Sequence, residues 1–314
     1  MHRRLLPVVV ALAFVLPALA AACGSSDDAA SPSTAPSEAV AATATRSPAA
    51  SAATASRTTS PTPFPTPAPD APLYIALGDS LSAGNGASDR NATAFVPLVR
   101  AGLGAGMALL NLGKPGDTSD DLLRGGRLER AADEVGRRRD DALPGNEVRV
   151  MTLEIGGNDL LNLYSAYVLT GACPSVTESL QRPQCVQALR DALSRFGPNL
   201  HEAITRLQAA GPDVPIFLMT LYNPFSGGSS ILDQIGELSL EGQPDSPFPE
   251  GLNDSIRQQA AATGVHLVDV YPLFKGKAYE YIAQDLIHPN DRGYRAMADA
   301  VLAAMAEAGV ARGG

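Results

Sequence analysis

Two segments far apart in the chain hold the parts of an activated nucleophile. Gly78-Asp79-Ser80-Leu81-Ser82 puts a serine directly after an apolar run. A serine on the turn that leaves a strand is exposed, and its own N–H can point into a pocket. Serine is equally a favoured helix N-cap. The segment also lacks the second glycine of a G-x-S-x-G elbow, because Ser82 stands in fifth place. Asp285-Leu286-Ile287-His288 supplies an imidazole, the usual general base near neutral pH. Its carboxylate, three residues earlier, shares a face with the histidine if the segment makes one helical turn, and would then fix the ring's tautomer. The plain alternative is a loop acid and a surface histidine.

Two further segments offer donors for developing negative charge. In Asn111-Leu112-Gly113-Lys114-Pro115-Gly116-Asp117-Thr118 the backbone N–H of Gly116 can do so. In Gly156-Gly157-Asn158-Asp159 the side-chain NH₂ of Asn158 can. Taken singly, each also reads as a turn or a helix cap.

These residues need a frame. Apolar runs at Leu73–Leu77, Met107–Leu112, Val148–Ile155, Pro215–Leu221 and Val265–Val268 predict five strands. Helical stretches alternate with them: Ala92–Leu103, Asp120–Arg139, Asp159–Thr170 with Gln184–Ala210, Leu252–Thr263 and a last one over Arg292–Ala308. This alternation predicts an α/β fold, a flavodoxin-like three-layer α/β/α sandwich on a parallel sheet. Ligands of such folds bind beyond the carboxyl ends of the strands. Three of the four motifs follow a predicted strand, and the fourth enters the last helix.

In their order and content the four blocks resemble those of the SGNH/GDSL hydrolase family. Gly78-Asp79-Ser80-Leu81 is similar to the family's first block, Gly116 in its segment to the second, Gly156-Gly157-Asn158-Asp159 to the third and Asp285-Leu286-Ile287-His288 to the last. The resemblance spans nearly all of residues 73–310, with no departure at these positions. It implies a serine esterase of lipase or acylesterase type working through an acyl-enzyme. Ser80, Asp285 and His288 would be catalytic, with Ser80, Gly116 and Asn158 forming the oxyanion hole. It implies no metal and no organic cofactor, and a small-molecule or lipid ester as substrate. Carbohydrate O-deacetylation is the alternative within enzymes, and a non-catalytic binding lipoprotein the alternative outside them. His201 and His266 fall in a predicted helix and strand and read as structural.

Composition changes near residue 70. Residues 1–22 have the basic start, apolar stretch and small-residue end of an export signal. Ala20-Ala21-Ala22-Cys23 followed by Gly24 resembles a bacterial lipoprotein signal, which implies a lipidated Cys23 and a membrane anchor at the cell surface. It departs from that pattern at Ala20, where leucine is preferred. Ordinary cleavage with secretion is the other outcome. Residues 23–70 are rich in Ser, Thr, Ala and Pro and read as a disordered linker. Residues 71–314 form the folded domain.

Residues 1–70 hold four basic and four acidic side chains, so the net charge of −9 belongs to the rest. An acidic domain repels phosphate backbones and excludes nucleic acid as a partner. Export permits a disulfide between Cys173 and Cys185. The segment Asn223–Glu250, with Ile231, Leu232, Ile235, Leu238 and Leu240, follows the fourth strand. It reads either as a pocket wall that contacts an acyl chain or as an ordinary packed helix.

Overall fold

A computed structural model describes residues 67–228 and 230–310 of the chain. The expected export signal, Cys23 and nearly all of the linker lie outside the described residues. Five strands, β1 (Leu73–Gly78), β2 (Ala108–Asn111), β3 (Val148–Glu154), β4 (Ile216–Met219) and β5 (His266–Val268), form one sheet in the order β2-β1-β3-β4-β5. Every pairing is parallel. This is the flavodoxin-like order, with the crevice of the switch point between β1 and β3.

The core follows from the period of two along each strand. Leu73, Ile75 and Leu77 of β1 point to one face, where they pack with α2 (Ser119–Arg124), α3 (Arg127–Asp140), α6 (Pro183–Ala210) and α8 (Leu252–Thr263). Tyr74 and Ala76 point to the other, against α1 (Phe95–Leu103) and α11 (Asp291–Glu307). With both faces covered, the strands carry nearly continuous apolar runs. The three layers expected from the sequence are present.

Local chemistry explains where the helices differ from expectation. The stretch Asp120–Arg139 is two helices, because Gly125 and Gly126 interrupt it and glycine is a poor helix former. Thr118 and Asp121 form a reciprocal capping box that starts α2. The stretch Asp159–Thr170 is α4 (Gly157–Leu163) continuing into a π turn at Tyr164–Val168. A short α5 (Val176–Ser179) follows. The segment after β4 contains α7 (Ile231–Glu241), started by the Ser230 side chain accepting from the Asp233 N–H. Two single-turn helices, α9 (Tyr271–Phe274) and α10 (Ala278–Tyr281), precede α11. Asn290 caps α11 by accepting from the N–H groups of Arg292 and Gly293. Among the described residues no helix is long and apolar enough to cross a membrane.

Candidate active site

Ser80 sits on the turn that leaves β1. No helix starts there: the chain makes a series of turns, with Asn85 N–H bonded to Ser80 C=O at 2.9 Å, and α1 begins only at Phe95. An N-cap role for Ser80 is therefore removed. Gly78 lets this turn lie against β3, since a Cβ there would meet Glu154 O at 2.2 Å. Asn111, at the end of β2, holds the far side of the turn by donating from Nδ2 to Ser82 O at 2.7 Å.

His288 arrives from the other end of the sequence. Its Nε2 lies 2.8 Å from Ser80 Oγ, and its Nδ1 lies 2.7 Å from Asp285 Oδ2. Asp285 Oδ1 accepts from the N–H groups of Ile287 and His288. The segment is not the helical turn expected from the i, i+3 spacing. It is a tight loop closed by a bridge between Ile282 and Pro289, with Leu286 at a φ of +64°. The loop is held from outside by Tyr222, whose hydroxyl donates to Ile287 O at 2.8 Å. Burial alone would raise the Asp285 carboxyl. The hydrogen bonds from His288 and Ile287 outweigh it and hold the group below the usual carboxylate range.

The expected oxyanion donors stand in two states. Among the described residues, neither the Ser80 N–H nor the Gly116 N–H has a protein acceptor. Gly116 is on the exposed part of the loop before α2. Asn158 Nδ2 is engaged twice, by Asp117 O at 2.9 Å and by Asp79 Oδ2 at 3.1 Å. Asp117 is itself buried and paired with Arg127. Asp159 accepts from both the N–H and the hydroxyl of Ser119, which ties the Gly116 loop to α4.

Two carboxyls beneath the serine were not singled out in the sequence. Asp79 accepts from the Leu81 N–H at 3.0 Å. Glu154, at the end of β3, is fully buried, and neither of its carboxyl oxygens receives a hydrogen bond from a described residue. Burial pushes Asp79 up to about 6 and Glu154 well above its ordinary range; the charge on Asp79 raises Glu154 further. Two neighbouring buried carboxyls cannot both ionise, so the pair retains a proton near neutral pH. The available signal was one acidic residue closing an otherwise buried strand, Val-Met-Thr-Leu-Glu over 150–154.

A cavity of about 180 Å³ opens beside Ser80 and His288. Leu232, Ile235, Leu238 and Leu240 line it, whereas Ile231 is exposed. The Asn223–Glu250 segment is thus both a helix and a wall. Cys173 and Cys185 are joined as a disulfide and line the same cavity. His201 lies away from it, with Nδ1 2.9 Å from Gln259 Oε1, and His266 stacks on Phe217.

A 2-1-3-4-5 parallel sheet with a Ser–His–Asp hydrogen-bonded chain beyond its strand ends defines an α/β/α sandwich of the SGNH type. The chain belongs to the GDSL-like Lipase/Acylhydrolase family, whose model matches residues 76–296. It is 32% identical over 87 residues to the spore germination lipase LipC of Bacillus licheniformis; that match covers 28% of this chain and 34% of the relative. Among solved structures, a lipase from a goat rumen metagenome superposes with a TM-score of 0.54 at 24% identity, covering 74% of this chain and 97% of that one. A phospholipase A1 from Streptomyces albidoflavus does so with a TM-score of 0.51 at 16% identity, over 76% and 99%. A mutant acetyl-xylooligosaccharide esterase from Geobacillus has a TM-score of 0.50 at 17% identity, over 74% and 94%. At these identities the structural likeness concerns the fold.

Proposed function

We propose that the protein is an exported serine hydrolase of carboxylic esters that works through an acyl-enzyme. One observation carries the reading: the unbroken chain Asp285–His288–Ser80, with contacts of 2.7 and 2.8 Å, at the mouth of an apolar cavity. Ser80 Oγ attacks the ester carbonyl carbon as its proton passes to His288 Nε2. Asp285 stays ionised and steadies the imidazolium. The tetrahedral oxyanion is met by the free N–H groups of Ser80 and Gly116. Asn158 adds a third donor by turning toward it the hydrogen now given to Asp79. The C–O bond to the alcohol then breaks, and the alkoxide takes the proton from His288. Water repeats the sequence and releases the acid. No metal or organic cofactor enters these steps.

Export rests on the N-terminal residue pattern, with Cys23 as the lipidated first residue of the mature chain and residues 23–70 as the spacer from the membrane. Mass spectrometry of the mature N-terminus tests this; an unmodified Cys23 would remove the anchor. The catalytic reading is tested with Ser80→Ala, which should abolish p-nitrophenyl ester hydrolysis, and with Asn158→Ala, which should lower kcat by about 10²–10³. A serine-reactive phosphonate should label Ser80 and fail once His288 is replaced. Full activity in Ser80→Ala would sink the proposal.

A further inference from the structure

The cavity is bounded by two segments that the five-stranded frame does not need. The first runs from the π turn through α5 into α6 and contributes Tyr167, Leu180, Val186 and Leu189. The second runs from Pro224 to Phe248 and contributes Leu232, Ile235 and Leu238. Tyr164 stacks on Phe225, with ring centroids 5.9 Å apart, and so joins the two. The first segment is folded back on itself. Cys173 N–H donates to Tyr167 O at 2.8 Å, Arg182 Nη1 donates to Ala172 O at 2.6 Å, and the disulfide links Cys173 to the first turn of α6. The π turn that begins this fold is the kind of helix irregularity often found at functional sites.

The chemistry of the lining is one-sided. Among the residues that line the cavity there is no Lys, Arg or Glu, and Asp79 and His288 lie at the serine end. A phosphate or a sugar would find no cation and few hydrogen-bond partners there. An ester also has a defined orientation. Its leaving oxygen must come within reach of His288, whose partner Asp285 is 45% exposed at the rim. The acyl half is then the part that enters the space running from Ser80 to the disulfide.

We infer that this cavity is an acyl-chain site for carboxylic esters of medium- or long-chain fatty acids, and that the segment clamped by Cys173–Cys185 forms its far wall and sets the chain length accepted. This deepens the ester-hydrolase reading and rests on it. Each methylene moved from water into the cavity contributes about fourfold to kcat/KM.

The test uses the full chain with p-nitrophenyl acetate, octanoate and palmitate. Wild type should prefer octanoate to acetate by at least about tenfold, less than the methylene increment allows if every added carbon were buried. Leu189→Trp and Ile235→Trp fill the cavity and should lower the octanoate-to-acetate ratio by about tenfold or more. The Cys173→Ser/Cys185→Ser double variant should change the palmitate-to-octanoate ratio several-fold. If it does not fold, the two tryptophan variants decide. Preference for acetate in wild type, or ratios unchanged in the variants, overturns the inference. A separate arm measures cis-parinaric acid fluorescence on Ser80→Ala: binding that is lost in Ser80→Ala/Leu189→Trp supports the acyl site without turnover, and no binding overturns it. Hydrolysis that survives Ser80→Ala overturns the catalytic reading instead.

Discussion

Beneath the nucleophile, Asp79 and Glu154 form a buried acid pair whose protonation has a measurable consequence. Asp79 must present oxygens to the Leu81 N–H and to Asn158 Nδ2, which favours its ionised form. Glu154 has no such donors and keeps its proton. Its pKa in the folded protein is raised, first by burial and then by Asp79. In the unfolded chain it ionises near the ordinary value of about 4.3. Between those two values the folded state binds more protons than the unfolded state, so this group's stabilisation is complete below the unfolded pKa and is lost as pH rises toward the folded one. Glu154→Gln keeps the shape without the ionisable proton. Its thermal stability should therefore equal or fall below wild type near pH 4 and exceed it progressively from pH 5 to 8. Asp79, which interacts with Glu154, also shifts its titration in the variant, whereas groups remote from the pair are common to both proteins and cancel in the difference. A gap that does not change with pH would show that Glu154 ionises normally.

At the scale of elements, the loop that carries His288 is placed by a contact between two turns. Gly86, at a φ of +86°, sits where a Cβ would meet Pro289 O at 2.6 Å and the His288 Cβ at 2.7 Å. Gly86→Ala must push these turns apart. A displacement of about 1 Å in a reacting group costs about 10²-fold in rate. The variant should lose about that factor in kcat while Tm falls by only a few degrees; an unchanged kcat would show that the loop tolerates the shift. This contact also marks how far the sequence could be read. The four motifs and five strands were legible because each depends on local composition: apolar runs between turn residues, and reactive side chains just after them. The shape of the 283–288 loop was not. Its positive φ at Leu286 and its hold through the Tyr222 hydroxyl depend on parts of the fold that spacing does not encode. The cavity was half legible. The apolar residues of Asn223–Glu250 looked like a wall or a packed helix and are both. Val186 and Leu189 looked like ordinary helix positions, because a lining residue and a core residue have the same chemistry, and Leu180 fell between the expected helices.

The whole domain is closed at its N-terminal entrance by a buried arginine. Arg137, Arg138 and Arg139 lie in the last turn of α3, and of the three the Arg138 side chain is fully buried. Its Nε pairs with Glu134 Oε1 at 2.8 Å. Its remaining nitrogens donate to Ala68 O, Ala71 O and Asn146 O, and Asn146 Nδ2 donates to Pro69 O at 2.9 Å. The chain arriving from the linker is thus seated on α3 just before β1 begins. Glu134 keeps Arg130 and Arg137 when Arg138 is removed, so the cost comes from the three carbonyls that lose their donor, about 3 kcal/mol together. For a domain of this size that corresponds to a Tm lower by about 10 °C in Arg138→Met. The same geometry predicts where the domain can be trimmed. A chain starting at residue 67 should keep the Tm of the full protein. One starting at residue 72 loses the Ala68, Pro69 and Ala71 acceptors and should melt several degrees lower. Arg138→Met should then cost less in the shorter chain than in the longer one, because the two changes remove the same contacts. Equal Tm values for the two starting points would mean that this seat contributes nothing, and that the buried arginine serves Glu134 and Asn146 alone.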